Sequence, residues 1–274
     1  MQEVKIIKAI IPKFSWIYLV PLSDLHWDEP QCDREAIRGY VNWIAEHDNA
    51  YTLLNGDLWT MATKTSTPDF FEYGEPGEKI ELMTPDVTLN ELEDLLKPIS
   101  KRILAVCSGG HELKNMFRVT GGDYTYLLMK RLGIEERYSR DGGVLQITTK
   151  PLNKRDNIIF NLVYTHGWGS ARTRGAKVRK LEYLSSAIHA DCYIMSHDHT
   201  QNLTRDNYLM PPEWDRPNMG VHRKLLVATG AFRGYGGYPL RSGYQPTDMG
   251  TPRIRIDKKL NEDGSIRKDI HASI

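Results

Sequence analysis

Asp24, His26, Asp57, His166, His197 and His199 share one peculiarity: each stands just past the end of a short apolar run. Trp16 to Leu22 leads into Ser23-Asp24-Leu25-His26, and Tyr51 to Leu54 into Asn55-Gly56-Asp57. Arg102 to Val106 runs into Cys107-Ser108-Gly109-Gly110-His111-Glu112, Ile158 to Tyr164 into Thr165-His166-Gly167, and Cys192 to Met195 into Ser196-His197-Asp198-His199. A strand has no structural need of an acid at its end, whereas open α/β sheets place their ligand chemistry in the crevice beyond the carboxyl ends of the strands. One such end reads as a turn residue or a satisfied core histidine; five together imply a shared site. Residues two apart on extended chain point the same way, so Asp24 and His26 reach one point. Carboxylates mixed with imidazoles suit manganese, iron or zinc better than calcium or magnesium. Two cations about 3.5–4 Å apart need a ligand that serves both, and the two oxygens of Asp57 make it the natural bridge.

The intervening segments supply elements that would carry these ends. Ile37, Tyr40, Val41 and Ile44 recur at helical spacing after Asp33, and Leu89, Leu92, Leu95 and Leu96 form a stripe that starts at Pro85 and stops at Pro98. Tyr124, Leu127, Leu128 and Leu132 predict a third helix ending at Gly133, and Val178, Leu181, Leu184 and Ile188 a fourth. Further strands are expected at Val4–Ile11, Val144–Thr149, Asn202–Leu209, Lys224–Thr229 and Arg253–Ile256. The segment from Trp59 to Pro85, with Phe70-Phe71-Glu72-Tyr73-Gly74, lacks periodicity and reads as a lid or an anchored loop. No repeat or linker divides the 274 residues, so a single domain over 1–274 is expected, with a polar, loosely held tail from about 261.

Composition excludes some classes. With 36 basic and 35 acidic side chains, the net charge of +1 gives no global attraction for a polyanion or an anionic membrane, so any such attraction must be local. Apart from Val4–Leu22, which Lys5, Lys8, Pro12 and Lys13 interrupt, no apolar run approaches the roughly 20 residues of a membrane span. The three cysteines, Cys32, Cys107 and Cys192, form no C-x-x-C pair and read as reduced thiols. A cytoplasmic location is the expectation.

Taken in order, Asp24-Leu25-His26, Gly56-Asp57, Gly109-Gly110-His111-Glu112, His166-Gly167 and Ser196-His197-Asp198-His199 resemble the five motifs of the calcineurin-like metallophosphoesterases: D-x-H, G-D, G-N-H-[D/E], H-G and G-H-x-H. The resemblance spans residues 24 to 199, and the basic and glycine-rich loops give the chain the look of small phage or bacterial members. It implies a four-layer α/β/β/α sandwich of two mixed β-sheets flanked by helices, with residues 200–260 completing the second sheet. It also implies Asp24, His26, Asp57 and His199 on a first divalent metal and Asp57, His166 and His197 on a second, with Mn²⁺ foremost and Fe, Zn or Ni as alternatives. His111 would sit beside the phosphate as proton donor or charge stabiliser, oriented by Glu112. The implied activity is hydrolysis of a phosphodiester in DNA, RNA or a nucleotide by a metal-activated water, in keeping with the chemistry of such centres.

Two positions depart from the pattern. Ser196 replaces the glycine of G-H-x-H, and Gly110 replaces the asparagine that would ligate the second metal. The second ion is therefore expected to be the weaker, and a binding module with the same fold but impaired catalysis is the competing expectation. Arg118, Arg172 and Arg174 are candidate phosphate contacts, whereas Lys177, Arg179 and Lys180 are expected to form a solvated helix face. His47, His189, His222 and His271 lack metal-type neighbours and are assigned to surface or packing roles; Tyr235-Gly236-Gly237-Tyr238 is a weak candidate for base stacking.

Overall fold

The computed structural model describes residues 3–12, 14–61, 84–148, 158–169, 171–211, 219–235, 245–260 and 266–274. The Phe70–Gly74 segment and Gly236–Tyr238 lie outside them. Eleven strands are described: β1 Ile6–Ile10, β2 Trp16–Leu22, β3 Ala50–Asn55, β4 Ile103–Cys107, β5 Gly143–Thr148, β6 Ile159–Thr165, β7 Cys192–Met195, β8 Asn202–Met210, β9 Gly220–Ala228, β10 Arg253–Leu260 and β11 Ile266–Ser273. The α-helices are α1 Arg34–Glu46, α2 Pro85–Leu96, α3 Arg118–Thr120, α4 Tyr124–Arg131 and α5 Arg174–Ala187.

The strands form two mixed sheets. One has the order β1-β5-β6-β7-β9-β8 and the other β11-β10-β2-β3-β4. Within them β2, β3 and β4 run parallel, as do β6, β7 and β9, so the carboxyl ends of the motif-bearing strands share one edge of the sandwich. Leu19, Leu53, Ala105, Leu145, Phe160, Leu162, Ile194, Val227 and Ile256 fill the space between the sheets. The far face of the second sheet packs through Val20, Leu54 and Val106 on α1, α2 and α4, and that of the first through Val163, Tyr193 and Met195 on Leu181 of α5. The chain thus has the four-layer α/β/β/α sandwich that the resemblance implies. Covered on both faces, β4 and β7 are buried at every residue, which is why they read as unbroken apolar runs rather than alternating ones.

Local chemistry explains the helix limits. The Asp33 side chain accepts the Ala36 N–H and caps α1, whose Ile37, Val41 and Ile44 face inward. Pro85 occupies the first turn of α2, and Leu89, Leu92 and Leu96 are its buried stripe, each side chain contributing about 1.5–3 kcal/mol of apolar burial.

Three expectations change. Residues 200–260 do not complete one sheet, because β8 and β9 join β7 while β10 crosses to pair antiparallel with β2. The C-terminal segment is not a loose tail either; Ile266–Ser273 pairs along its whole length with β10 as an edge strand. Lys177 and Lys180 lie buried on the inner face of α5 rather than on a solvated one.

Candidate metal centre

Each motif leaves its strand through a sharp reversal. Among the described residues, six non-glycine residues have positive φ, and five of them are candidate ligands: Asp24 (49°), His26 (46°), Asp57 (48°), His197 (74°) and His199 (52°). Asp24 and His26 thus come together through left-handed backbone rather than on extended chain, at a conformational cost for residues bearing a Cβ. Backbone hydrogen bonds hold the turns together: Asp24 N donates to Gly56 O, His26 N to Asp57 O, and Ser196 N to His166 O. Gly56 and Gly109 permit the closest approach. A Cβ on Gly109 would lie 2.0 Å from Asp57 Oδ1, and one on Gly56, at φ 83°, 2.6 Å from Gly109 N.

Asn55, which the sequence reading passed over, stitches the sheets at this edge. Its side-chain amide donates to Thr165 O (2.8 Å) and Ser196 Oγ (2.7 Å), and its backbone carbonyl accepts from His166 Nδ1 (2.8 Å). Ser196 is thus used as an acceptor where the family pattern has glycine, and its φ is not positive. A signal was available in the sequence: a polar amide within an apolar strand, directly before Gly56.

Three overlapping groups have ligand atoms within 4.8 Å of one another: Asp24, His26 and His199; His26, Asp57 and His111; and Asp57, His166 and His197. Hydrogen bonds on the far sides of the rings determine where their protons sit. The Thr60 hydroxyl gives its proton to Glu29 Oε1 (2.5 Å), so His26 Nδ1 must be the donor in its 2.7 Å contact with Thr60. His166 Nδ1 donates to Asn55 O and His197 Nε2 to Gly169 O, since a carbonyl can only accept. The remaining nitrogens then face inward: His26 Nε2 stands 3.3 Å from His199 Nε2, and His166 Nε2 stands 3.3 Å from His197 Nδ1. Beside them Asp24 Oδ1 and Asp57 Oδ2 are buried, with His199 Nε2 and His166 Nε2 respectively 3.1 Å away. Ring nitrogens packed against one another and against buried carboxylate oxygens require positive charge among them, and a divalent cation at each end fits that donor set.

With protons as the only cations, the same demand appears as shifted titration. Burial pulls His166 down, but Asp57 outweighs it and holds the ring up at about 10. His26 behaves alike, burial being overcome by Glu29 to leave it at about 9. Asp57 is held well below the usual carboxylate range, burial being outweighed chiefly by His166 and then His111.

The two ends are backed differently. Behind His26 stand Thr60, Glu29 and Arg233, the last with Nε 2.8 Å from Glu29 Oε2. Arg233 and the opposing His26 keep Glu29 ionised at about 2 although burial acts most strongly the other way. Behind His166 and His197 the described partners are the backbone carbonyls of Asn55 and Gly169. Gly110 adds no ligand, and a Cβ there would meet nothing within 4 Å.

His111 lies at this edge with its side chain 37 % exposed and Nε2 3.8 Å from Asp57 Oδ2, while its backbone N–H donates to Asp57 Oδ1 (2.9 Å). Burial, aided by His26, lowers it to about 4 against the pull of Asp57, so the ring is neutral. Glu112 does not orient His111. Its carboxylate accepts from Gly109 N (2.8 Å), Asp57 N (3.1 Å) and Leu58 N (2.8 Å), and so fixes the turn that carries Asp57. His111 immediately precedes the helical segment Glu112–Phe117, and the Glu112 carboxylate is taken up by backbone N–H groups just past β3. Burial and the neighbouring Asp57 charge push Glu112 up to about 8, with His166 and then a backbone donor opposing them. Arg118, Arg172 and Arg174 are exposed at the surface. Cys32, Cys107 and Cys192 are free thiols. No described helix is long and apolar enough to cross a membrane.

No family model matches the sequence, and the search of curated proteins returned no match. Among solved structures the chain is similar to a conserved uncharacterized protein of Streptococcus pneumoniae, described as a predicted phosphoesterase, at 12% identity, covering 95% of this chain and 100% of that one with a TM-score of 0.38. It is similar to Vps29 of Chaetomium thermophilum at 10% identity (94% and 97% covered, TM-score 0.41). It is also similar to Vps29 of Entamoeba histolytica complexed with Zn²⁺, at 12% identity (93% and 99% covered, TM-score 0.38).

Proposed function

We propose that this chain is a metal-dependent phosphoesterase of the calcineurin-like type that cleaves a phosphodiester in nucleic acid or a nucleotide. The observation that carries the proposal is the convergence of inward-facing ring nitrogens and buried carboxylate oxygens at the shared edge of the two sheets. Asp24, His26, Asp57 and His199 would hold one cation and Asp57, His166 and His197 the other, with Mn²⁺ as the first choice. Such a pair supplies an activated water and neutralises phosphoryl charge. The protein's own groups supply the rest. Thr60, Asn55 and Gly169 take the outer N–H of His26, His166 and His197, so that each ring would present its inner lone pair to a cation that displaces the proton. Neutral, half-exposed His111 offers a ring N–H to a phosphoryl or leaving-group oxygen. Arg118, Arg172 and Arg174 are the proposed contacts to the remainder of an anionic substrate.

A second reading has one observation in its favour, the space beside Gly110 where a ligand would stand. On that reading the protein is a binding module with one cation at most. Hydrolysis of bis-(p-nitrophenyl) phosphate against the monoester, with added Mn²⁺, separates the two. Turnover of the diester that rises in a Gly110→Asn variant supports the enzyme; no turnover by either protein sinks it.

A further inference from the structure

We propose that Lys180 and Lys177 of α5 are positioning residues for the His197-Asp198-His199 turn, and that they set how tightly the second cation is held. This inference rests on the two-cation reading above.

Its basis is the inner face of α5. Lys180 Nζ lies 2.8 Å from each oxygen of the Asp198 carboxylate, and both side chains are about nine-tenths buried, at 11% and 8% exposure. Lys177 Nζ, one helical turn away, donates to Asp198 O (2.9 Å) and to the Thr200 hydroxyl (2.5 Å). Two ammonium groups from one helix thus grip the residue between two candidate ligands by both its side chain and its backbone. The grip has something to resist, because His197 and His199 on either side hold left-handed backbone that a free turn would relax. The same lysine borders the other support of His197: a Cβ on Gly169, the residue whose carbonyl accepts from His197 Nε2, would lie 3.8 Å from Lys180 Nζ.

The pairing excludes a role that the basic run otherwise suggests. Lys180 is paired with both oxygens of Asp198 and turned away from solvent, so it is not available to bind a phosphate. Its effect falls on the second site because His197 belongs there, and because that site has no side-chain ligand at Gly110 to compensate. His199 belongs to the first site and has Asp24 beside it there, with His199 Nε2 3.1 Å from Asp24 Oδ1.

The test is Mn²⁺ titration calorimetry on the purified full chain, parent against Lys180→Met, together with electron paramagnetic resonance of the loaded proteins. The expected result is that the weaker of two ions loses about 10- to 100-fold in affinity in the variant while the tighter changes little. The signal of a spin-coupled pair should give way to that of an isolated ion, and Lys180→Arg should restore much of the loss. Since Lys180→Met strands a buried carboxylate, the double variant Lys180→Met/Asp198→Asn serves if the single one does not fold; it removes the charge along with its partner. Loss of the weaker ion from the double variant supports the proposal, and parent-like binding of both ions by either variant overturns it. A parent chain that binds no Mn²⁺ overturns the two-cation reading itself and the proposal with it, an outcome distinct from parent-like binding in the variants.

Discussion

The two ends of the candidate centre are built from the same ligand types but supported by different materials. At one end His26 is fully buried and its outer nitrogen is backed by a chain of Thr60, Glu29 and Arg233, an ionised carboxylate paired with a guanidinium. At the other, His166 and His197 lean on the neutral carbonyls of Asn55 and Gly169, and Gly110 contributes no side chain. A carboxylate behind a ligating imidazole raises its basicity more than a carbonyl does, so the first end should bind first and release last. Affinity in such a centre would be set as much by what stands behind the ligands as by the ligands.

The change with the largest expected effect removes the comparison altogether. Asp57→Asn takes a charged oxygen from both ends, and calorimetry should show each ion weakened by more than about 100-fold, beyond the usual loss from an outer partner. Unequal weakening, with one ion untouched, would show that Asp57 is not shared. Next comes Glu29→Gln, which should weaken the tighter ion about 10-fold and leave the weaker one as it was. The same change deprives buried Arg233 of its counter-charge and should lower stability in chemical denaturation by about 3 kcal/mol. Gly110→Asn narrows the gap from the other side: the weaker ion should tighten about 10-fold, with a stability change within about 0.5 kcal/mol because the added Cβ meets nothing.

The smallest effect concerns pH. His26 and His166 titrate at about 9 and 10 in the metal-free fold, above the ordinary 6.5, so their stabilising contribution is complete below about 6.5 and is lost as pH rises through 9 and 10. Metal-free protein should therefore melt lower at pH 10 than at pH 6. Cations compete with those same protons, so Mn²⁺ affinity should rise over that interval. A melting temperature that rises with pH in chelator would contradict the assignment of charge.

Much of this was legible in the sequence, for a physical reason. A carboxylate or imidazole at the end of an apolar strand is costly unless it is used, so Asp24, Asp57, His166 and His197 announced themselves, and the alternation of helix and strand periods announced the layers. The supports did not. Glu29 and Arg233 are far apart in the chain and each alone is an ordinary charge; only the fold makes them a pair. Lys177 and Lys180 were hidden by their neighbours, since a run of five basic residues resembles a solvated face. The sign that they point inward is their spacing with Leu181 and Leu184, which places all four on one side of α5. β11 was missed because an edge strand needs few apolar residues, and Ile266, Ile270 and Ala272 alternate too sparsely to outweigh the charges between them.

The left-handed turns carry a consequence for anyone who engineers this chain. Five of the candidate ligands are held in a conformation that disfavours side chains by roughly 1–2 kcal/mol each, less for aspartate. A screen for heat resistance run in chelator should therefore drift toward glycine or asparagine at positions 26, 197 and 199, and the hardiest clones would be those that have discarded the centre. Selection with Mn²⁺ present reverses the drift, because the bound ion then rewards the residues that the backbone penalises.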